Sequence, residues 1–382
     1  MTPSAEAASV ILNGRAVRVA WSDGFSARYH AVWLRYNALD EATRSASNGQ
    51  RLISLLDVPS KTAATAAAIS PEGEVSITLA PDMRAFRFPA EWLRARAYDQ
   101  AREAERGWFD PAITTWDAGF GADLPRSDWR AVSTSPAALA AWLVPVRAYG
   151  FSLLENVPKE PGAVCTAAER FGFVRETNYG RLFDVRAQVN PSNLAFTNLG
   201  LEAHSDNPYR DPVPTLQLLC CLENSVEGGD SRLVDGFRAV ERLKSENLAH
   251  FDLLSGYCTR FEYAGSPGVR LRSRRPAIEL APDGQVIAVR WNNRSAAAPV
   301  DVPVDEMEGY YAASRRFTEI IEDPAMWVTF KLAPGELFMV DNTRVLHARE
   351  AYSGEGSRWL QGCYADKDGL LSTLAAIEDQ VA

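Results

Sequence analysis

The sequence predicts a mainly β protein with flanking helices: a β-sandwich or jelly roll over residues 131–382, preceded by a small β-rich unit. Three observations lead there. Strand-like runs dominate the second half: TLQLLCCL, VIAVRW, WVTFKL, ELFMVDN and WLQGCYA. Helical stretches flank them early and midway but do not alternate with them regularly, as a doubly wound parallel sheet would require. A chain of 382 residues, 46% apolar and 23% charged, is long enough for one large core and a smaller one.

Taken in order, residues 9–97 read as the small β-rich unit. VILNGRAVRVAW is two strands joined at Asn13-Gly14, a hairpin signal. KTAATAAAISPEGE, rich in Ala and Thr and turn-prone, reads as an exposed loop, EVSITLA as a strand and FPAEWLRARAYD as a short helix. Residues 98–130, with their Trp, Asp and Pro, read as a connecting segment in which Trp108 and Trp116 pack onto one neighbour. The large unit then opens with a helix over 136–149, with Ser133 and Ser135 at its start, followed by a strand at 150–154 and a helix at 163–172. GFRAVERLKSENLAHFDLL is a helix-rich insert between strands.

Composition removes several classes of function. The 40 Lys and Arg against 49 Asp and Glu, net charge −9, argue against general nucleic-acid binding, which needs a basic face. A pocket can still be locally positive on an acidic protein. The five cysteines are scattered and lack C-x-x-C spacing, so they predict neither a disulfide framework nor a cysteine-rich zinc site. The N-terminus lacks a signal-peptide pattern, and no apolar run is long enough to span a bilayer. A reducing cytoplasm without membrane attachment is the expected location.

The chain holds four histidines, and two keep suggestive company. His204-Ser205-Asp206 sets an imidazole and a carboxylate on one side of an extended segment. His347 follows the strand-like ELFMVDN. Two imidazoles and one carboxylate leave half an octahedron open, as non-haem iron oxygenases require. Arg358, eleven residues after His347 on an apolar strand, can grip a carboxylate with two parallel bonds. His250 is expected to face solvent from a helix and His30 to be structural. A zinc hydrolase would want a general-base Glu or an H-E-x-x-H helix, and neither is present.

These residues, with the N-x-R-x-x-H and R-x-x-x-G-x-Y-A-D patterns, resemble the γ-butyrobetaine hydroxylase family of Fe(II)/2-oxoglutarate oxygenases. GGDSRLVDG (228–236), DVPVDEMEGYYAA (301–313) and WLRYN (33–37) extend the similarity from about residue 15 to the C-terminus. The resemblance implies a double-stranded β-helix (jelly-roll) catalytic domain after a small β-rich N-terminal domain. It implies iron(II) on His204, Asp206 and His347, 2-oxoglutarate near Arg358 and Ser231, O₂ as co-substrate and ascorbate as a supporting reductant. It also implies a homodimer, for which LLSTLAAIEDQVA is a candidate contact helix. One departure concerns zinc, which the family binds in its N-terminal domain on three cysteines and a histidine. Here Ala38, Asp40, Thr43 and Arg84 occupy those places, so no structural zinc is expected.

The same resemblance implies a trimethylammonium substrate in an aromatic cage of Tyr179, Phe183, Phe196 and Tyr364. Asn193 and Asn292 match amides that hold the substrate's anionic end. Asn207, where Tyr is common, and Asn293-Arg294 after Asn292 depart from the family pattern. An arginine there adds a full charge and a two-pronged donor. That favours 2-(trimethylammonio)ethylphosphonate, hydroxylated at the carbon next to phosphorus. γ-Butyrobetaine and trimethyllysine remain open, as does a non-catalytic module that binds quaternary ammonium compounds.

Overall fold

The computed structural model describes residues 3–99, 105–186, 199–352 and 356–381. The chain forms two compact units, 1–103 and 104–382.

In the first unit, β1 (Ala5–Ile11), β2 (Ala16–Trp21) and β3 (Ser26–His30) form an antiparallel sheet, followed by α1 (Ala31–Tyr36). The β1–β2 connection runs through Leu12, Asn13 and Gly14, all at positive φ. A side chain at Gly14 would sit 2.7 Å from the Ala64 carbonyl, so this turn needs glycine for contact as well as conformation. A second sheet comprises β4 (Ala63–Ile69), β5 (Val75–Ala80) and β6 (Arg84–Phe88), with α2 (Ala90–Arg94) after it.

The strand β4 corrects the expected loop at KTAATAAAISPEGE. Alanine is a weak strand former, but β4 hydrogen-bonds along β5 from Ala63–Ala80 to Ile69–Val75. Ala64 is buried in the core with Val17, Ile77 and Phe88. The small side chains let β4 lie close to the 12–14 turn, a tertiary gain that propensity does not report. The four positions named for zinc also have defined surroundings. Ala38 is buried, while Asp40 accepts from Thr43 Oγ1 at 3.1 Å and pairs with Arg84 at 2.9 Å.

Residues 105–130 belong to the second unit, where Trp116 is buried against Phe151 and Phe120. The short strand β7 (Arg126–Asp128) runs parallel to β8 (Phe151–Glu155), with α3 (Trp129–Val132) and α4 (Pro136–Tyr149) between them. Ser135 caps α4 by accepting from Ala138 N–H, as its position predicted. Helix α5 (Ala163–Ala168) ends four residues short of the expected 172 and gives way to turns.

After β9 (Phe183–Val185) and β10 (Leu201–His204) come β11 (Leu216–Asn224), β12 (Ser231–Asp235), α6 (Gly236–Glu246) and α7 (Leu248–Gly256). Two hairpins follow, β13 (Cys258–Tyr263) with β14 (Leu271–Pro276) and β15 (Ile278–Leu280) with β16 (Val286–Val289). Then come α8 (Met307–Ile321), β17 (Trp327–Phe330), β18 (Leu337–Asp341), β19 (Val345–Arg349), β20 (Arg358–Ala365) and α9 (Lys367–Val381).

Two sheets make the jelly roll: β7-β8-β18-β11-β20-β9 and β10-β19-β12-β17. In β11, Leu216, Leu218, Cys220 and Leu222 face a helical layer with Trp142, Leu143 and Phe171, while Gln217 and Leu219 face the space between the sheets. Burial on both faces explains why TLQLLCCL reads as a continuous apolar run. Helix α9, proposed from sequence as a contact between copies, buries Leu370 in this same layer, with Ile377 packed against it, and packs on α4. That apolar face is used within the chain. Among the described residues no helix is long and apolar enough to cross a membrane.

A buried ion pair locks the β19 end of the small sheet. Arg344 grips both oxygens of Asp235 at 3.0 and 2.8 Å and donates to the carbonyls of Ala148 and Thr114. Asp235 also caps α6 and accepts from Trp116 N–H. Arg344→Ala would leave the buried Asp235 carboxylate without its counter-charge and take a donor from the carbonyls of Ala148 and Thr114. It is expected to cost about 3–5 kcal/mol of stability, measured as a lowered midpoint in denaturant unfolding.

Candidate active site

The pairing of β10 with β19 sets His204 directly opposite His347. Their rings lie 4.3 Å apart, centroid to centroid. Asp206, just beyond the end of β10, brings Oδ1 to 3.4 Å from His204 Nε2 and 3.8 Å from His347 Nε2. One ligand atom from each of the three lies within 4.8 Å of the others. One sheet pairing thus closes a gap of more than a hundred residues.

The donor set fits a divalent transition metal. His204 Nδ1 is bonded to the Glu202 carbonyl at 2.8 Å, which turns the Nε2 lone pair toward Asp206. Burial, and then the charge of His204, push His347 down to about 3, so it offers a neutral imidazole at physiological pH. Burial alone would raise the Asp206 carboxyl. His204, His347 and the Tyr364 hydroxyl together hold it well below the usual carboxylate range. Asp206 Oδ2 is held at 2.7 Å by both Gln217 Nε2 and Tyr364 Oη, leaving Oδ1 for a metal. The Asp206 backbone is fixed on both sides by the Asn342 amide. Gln217 and Asn342 were not singled out from sequence. A lone glutamine inside an apolar strand was the readable sign of the first, and the Asn of N-x-R-x-x-H of the second.

The triad opens into a cavity of about 410 Å³ between the two sheets. Arg358, the first residue of β20, lines it with Nε and Nη1 buried and without hydrogen-bond partners among the described residues. Orphaned guanidinium donors of this kind call for an anion, and burial lowers the pKa of this side chain from its ordinary value. Ser231 and Arg349 face each other across β12 and β19 on the same wall. Arg349 was missed from sequence. It is buried, bonds the Leu199 carbonyl at 2.6 Å, and lies with Arg358 around the Tyr352 ring at 5.2 and 5.5 Å.

The aromatic positions converge in part. Tyr179, Phe183 and Tyr364 line the cavity, with Phe183 stacked on Tyr364 at 5.0 Å. Tyr209 and Tyr263, not anticipated, join them: Tyr179 Oη meets Tyr209 Oη at 3.0 Å, and the Tyr209 and Tyr263 rings stack at 4.9 Å. Phe196 and Asn193 lie outside the described residues. Gly362 is required by this packing, because a Cβ there would lie 2.4 Å from the Phe183 ring. Gly362→Ala is expected to push Phe183 into the cavity and raise the substrate KM severalfold, with the iron(II)–2-oxoglutarate spectrum unchanged. A steady-state titration beside an anaerobic absorption spectrum checks both.

The expected amides divide. Asn207 is buried at φ 53°, accepts from Tyr209 Oη at 2.6 Å and keeps Nδ2 without a partner on the cavity wall. Asn292 lines the cavity, yet Nδ2 donates to the Ser205 carbonyl and Oδ1 accepts the N–H groups of Arg294 and Ser295. Its amide therefore serves the turn first. Asn293 turns away and bonds Glu202, outside the cavity. Arg294 does line the cavity, and no ion pair or hydrogen bond reaches its guanidinium among the described residues. Crowding by protein lowers its pKa, opposed by the charge of Asp206.

Of the remaining histidines, His30 bonds Tyr98 Oη at 2.8 Å, in keeping with a structural role. His250, expected to face solvent, is half-buried with Nδ1 enclosed, because α7 packs between α6 and α8.

Residues 112–364 match the family model described as taurine catabolism dioxygenase TauD, TfdA family. The chain belongs to this family. It is 36% identical to a γ-butyrobetaine dioxygenase from Pseudomonas sp. (strain AK-1), covering 99% of this chain and 97% of that one. The Homo sapiens γ-butyrobetaine dioxygenase is 32% identical over 96% of this chain and 95% of its own length. A trimethyllysine dioxygenase from Meyerozyma guilliermondii is 28% identical, covering 95% and 93%. The chain is thus a γ-butyrobetaine hydroxylase-like dioxygenase that depends on iron(II) and 2-oxoglutarate.

Proposed function

We propose that this enzyme hydroxylates an unactivated C–H bond in a small substrate with a trimethylammonium group at one end and an anion at the other. The reading of best fit is 2-(trimethylammonio)ethylphosphonate, oxidised at the carbon next to phosphorus. The observation that carries it is Arg294, a guanidinium on the cavity wall that no ion pair or hydrogen bond reaches among the described residues. Relatives named for γ-butyrobetaine and trimethyllysine support the quaternary-ammonium end. Tyr179, Phe183, Tyr209, Tyr263 and Tyr364 would supply ring faces to a cation that cannot donate a hydrogen bond.

His204, Asp206 and His347 would hold the iron, and Arg358 with Ser231 the far carboxylate of 2-oxoglutarate. Iron(II) held there would supply the activation of O₂, with one oxygen atom going to succinate as 2-oxoglutarate loses CO₂ and the other to the substrate C–H bond. The protein's part is positioning. Gln217 and Tyr364 keep Asp206 pointed at the metal, the aromatic wall holds the cation, and Arg294 with the free Nδ2 of Asn207 draws the anionic end. Which carbon reaches the oxidant follows from those anchors rather than from acid–base catalysis. A phosphonate carries three oxygens and up to two charges, so it answers Arg294 more fully than a carboxylate.

The near-full-length match to γ-butyrobetaine dioxygenases supports a second reading, hydroxylation at the β-carbon of γ-butyrobetaine. A panel of the phosphonate, γ-butyrobetaine and trimethyllysine, each with iron(II), 2-oxoglutarate and O₂, separates them. The expected result is the highest kcat/KM for the phosphonate, with one succinate per hydroxylated product. Preference for γ-butyrobetaine would select the second reading. No substrate-dependent succinate from any of the three would point to a binding protein.

A further inference from the structure

A second cavity, of about 570 Å³, lies between β10, β13, the 291–299 turn and α8. Its walls include four aromatic residues, Phe261, Trp291, Tyr310 and Tyr311, and two carboxylates, Glu202 and Glu322. No Lys or Arg lies on the wall, and neither carboxylate makes an ion pair among the described residues. Glu202 bonds the Asn293 amide, and Glu322 accepts from Ala203 N–H at 2.9 Å. Burial raises the Glu322 carboxyl and the charge of Glu202 adds to the rise, against the Ala203 N–H and the charges of Arg232 and His204. Glu322 is half-buried and Glu202 exposed, and a positive ligand seated between the two carboxylates would gain from both charges.

The chemistry of the wall selects the kind of cation. Two carboxylates among aromatic rings are too few protein ligands to hold a bare metal ion without several waters. An alkylated ammonium needs ring faces and nearby negative charge, and it needs no hydrogen-bond acceptor. We propose that this cavity is a second binding site, for an organic ammonium cation, separate from the pocket of the metal triad. Asn292 lies on the walls of both cavities. Its side chain ties Ser205 to the backbone of Arg294 and Ser295, so an occupant of the second cavity bears on the active pocket through one residue.

The site does not depend on which substrate the enzyme oxidises. The probe is tetramethylarsonium, whose arsenic is located by anomalous scattering in crystals of the iron- and 2-oxoglutarate-loaded enzyme under nitrogen. The expected result is an arsenic peak between Glu202 and Glu322, whatever occupies the active pocket. Equilibrium dialysis with labelled tetramethylammonium should show the same site, and Glu202→Gln with Glu322→Gln should remove one site per chain. Arsenic confined to the active pocket would overturn the proposal. So would binding at crystal concentration only, or an unchanged capacity in the double variant. Should that variant fail to fold, Tyr311→Leu, at a residue 56% exposed, serves instead. It is expected to weaken dialysis binding by about two- to fivefold, and unchanged affinity would count against the site.

Discussion

Replacing His204 with alanine is expected to reduce hydroxylation by at least about a thousandfold, equal to about 4 kcal/mol of lost transition-state stabilisation. The loss goes beyond one bond to iron. His204 sits opposite His347 across β10 and β19, and its Nδ1 is already committed to the Glu202 carbonyl, so Nε2 has no second task. Two remaining ligands would hold iron weakly and in an altered geometry. The variant should therefore also lack the visible charge-transfer band of an iron(II)–2-oxoglutarate chelate under anaerobic conditions. Its fold should persist, because the surrounding sheet is held by apolar packing and by the Arg344–Asp235 pair. Full activity in this variant with saturating iron would refute the metal assignment.

Arg294→Ala carries the second large effect. A charged hydrogen bond contributes about 1.5–3 kcal/mol, so the KM for 2-(trimethylammonio)ethylphosphonate should rise about ten- to a hundredfold. The rise for γ-butyrobetaine should be smaller, because a carboxylate has fewer oxygens to share. Consumption of 2-oxoglutarate without substrate should change little, since Arg358 and the triad are untouched. Arg294→Lys should restore part of the affinity, keeping the charge but not the two-pronged geometry. Equal kinetics in wild type and variant for the phosphonate would remove the reason for preferring it.

The fold was legible where local pattern and burial agree. The strands β11, β18 and β20 lie between a helical layer and the cavity, so their apolar runs are long and unambiguous. β4 was not legible, because an Ala/Thr run becomes a strand only by pairing with β5 and fitting close to the 12–14 turn. Arg344 was visible as part of a motif, but its work is structural: it neutralises Asp235, more than a hundred residues away.

For the site, the sequence by itself named the three residues that come together as the metal-binding triad and pointed to Arg358 after them. H-x-D and a downstream His are chemistry written in residue types, and residue types survive without coordinates. Tertiary structure decided which side chains face the same space. It turned Arg294 into the cavity and Asn293 out of it, although they are neighbours in the chain. It committed Asn292 to the turn, gave Tyr364 the task of steering Asp206, and added Gln217, Tyr209, Tyr263 and Arg349 to the walls. The reason is geometric: a side chain's role depends on strand register and turn conformation, and both are set by pairings between segments far apart in sequence.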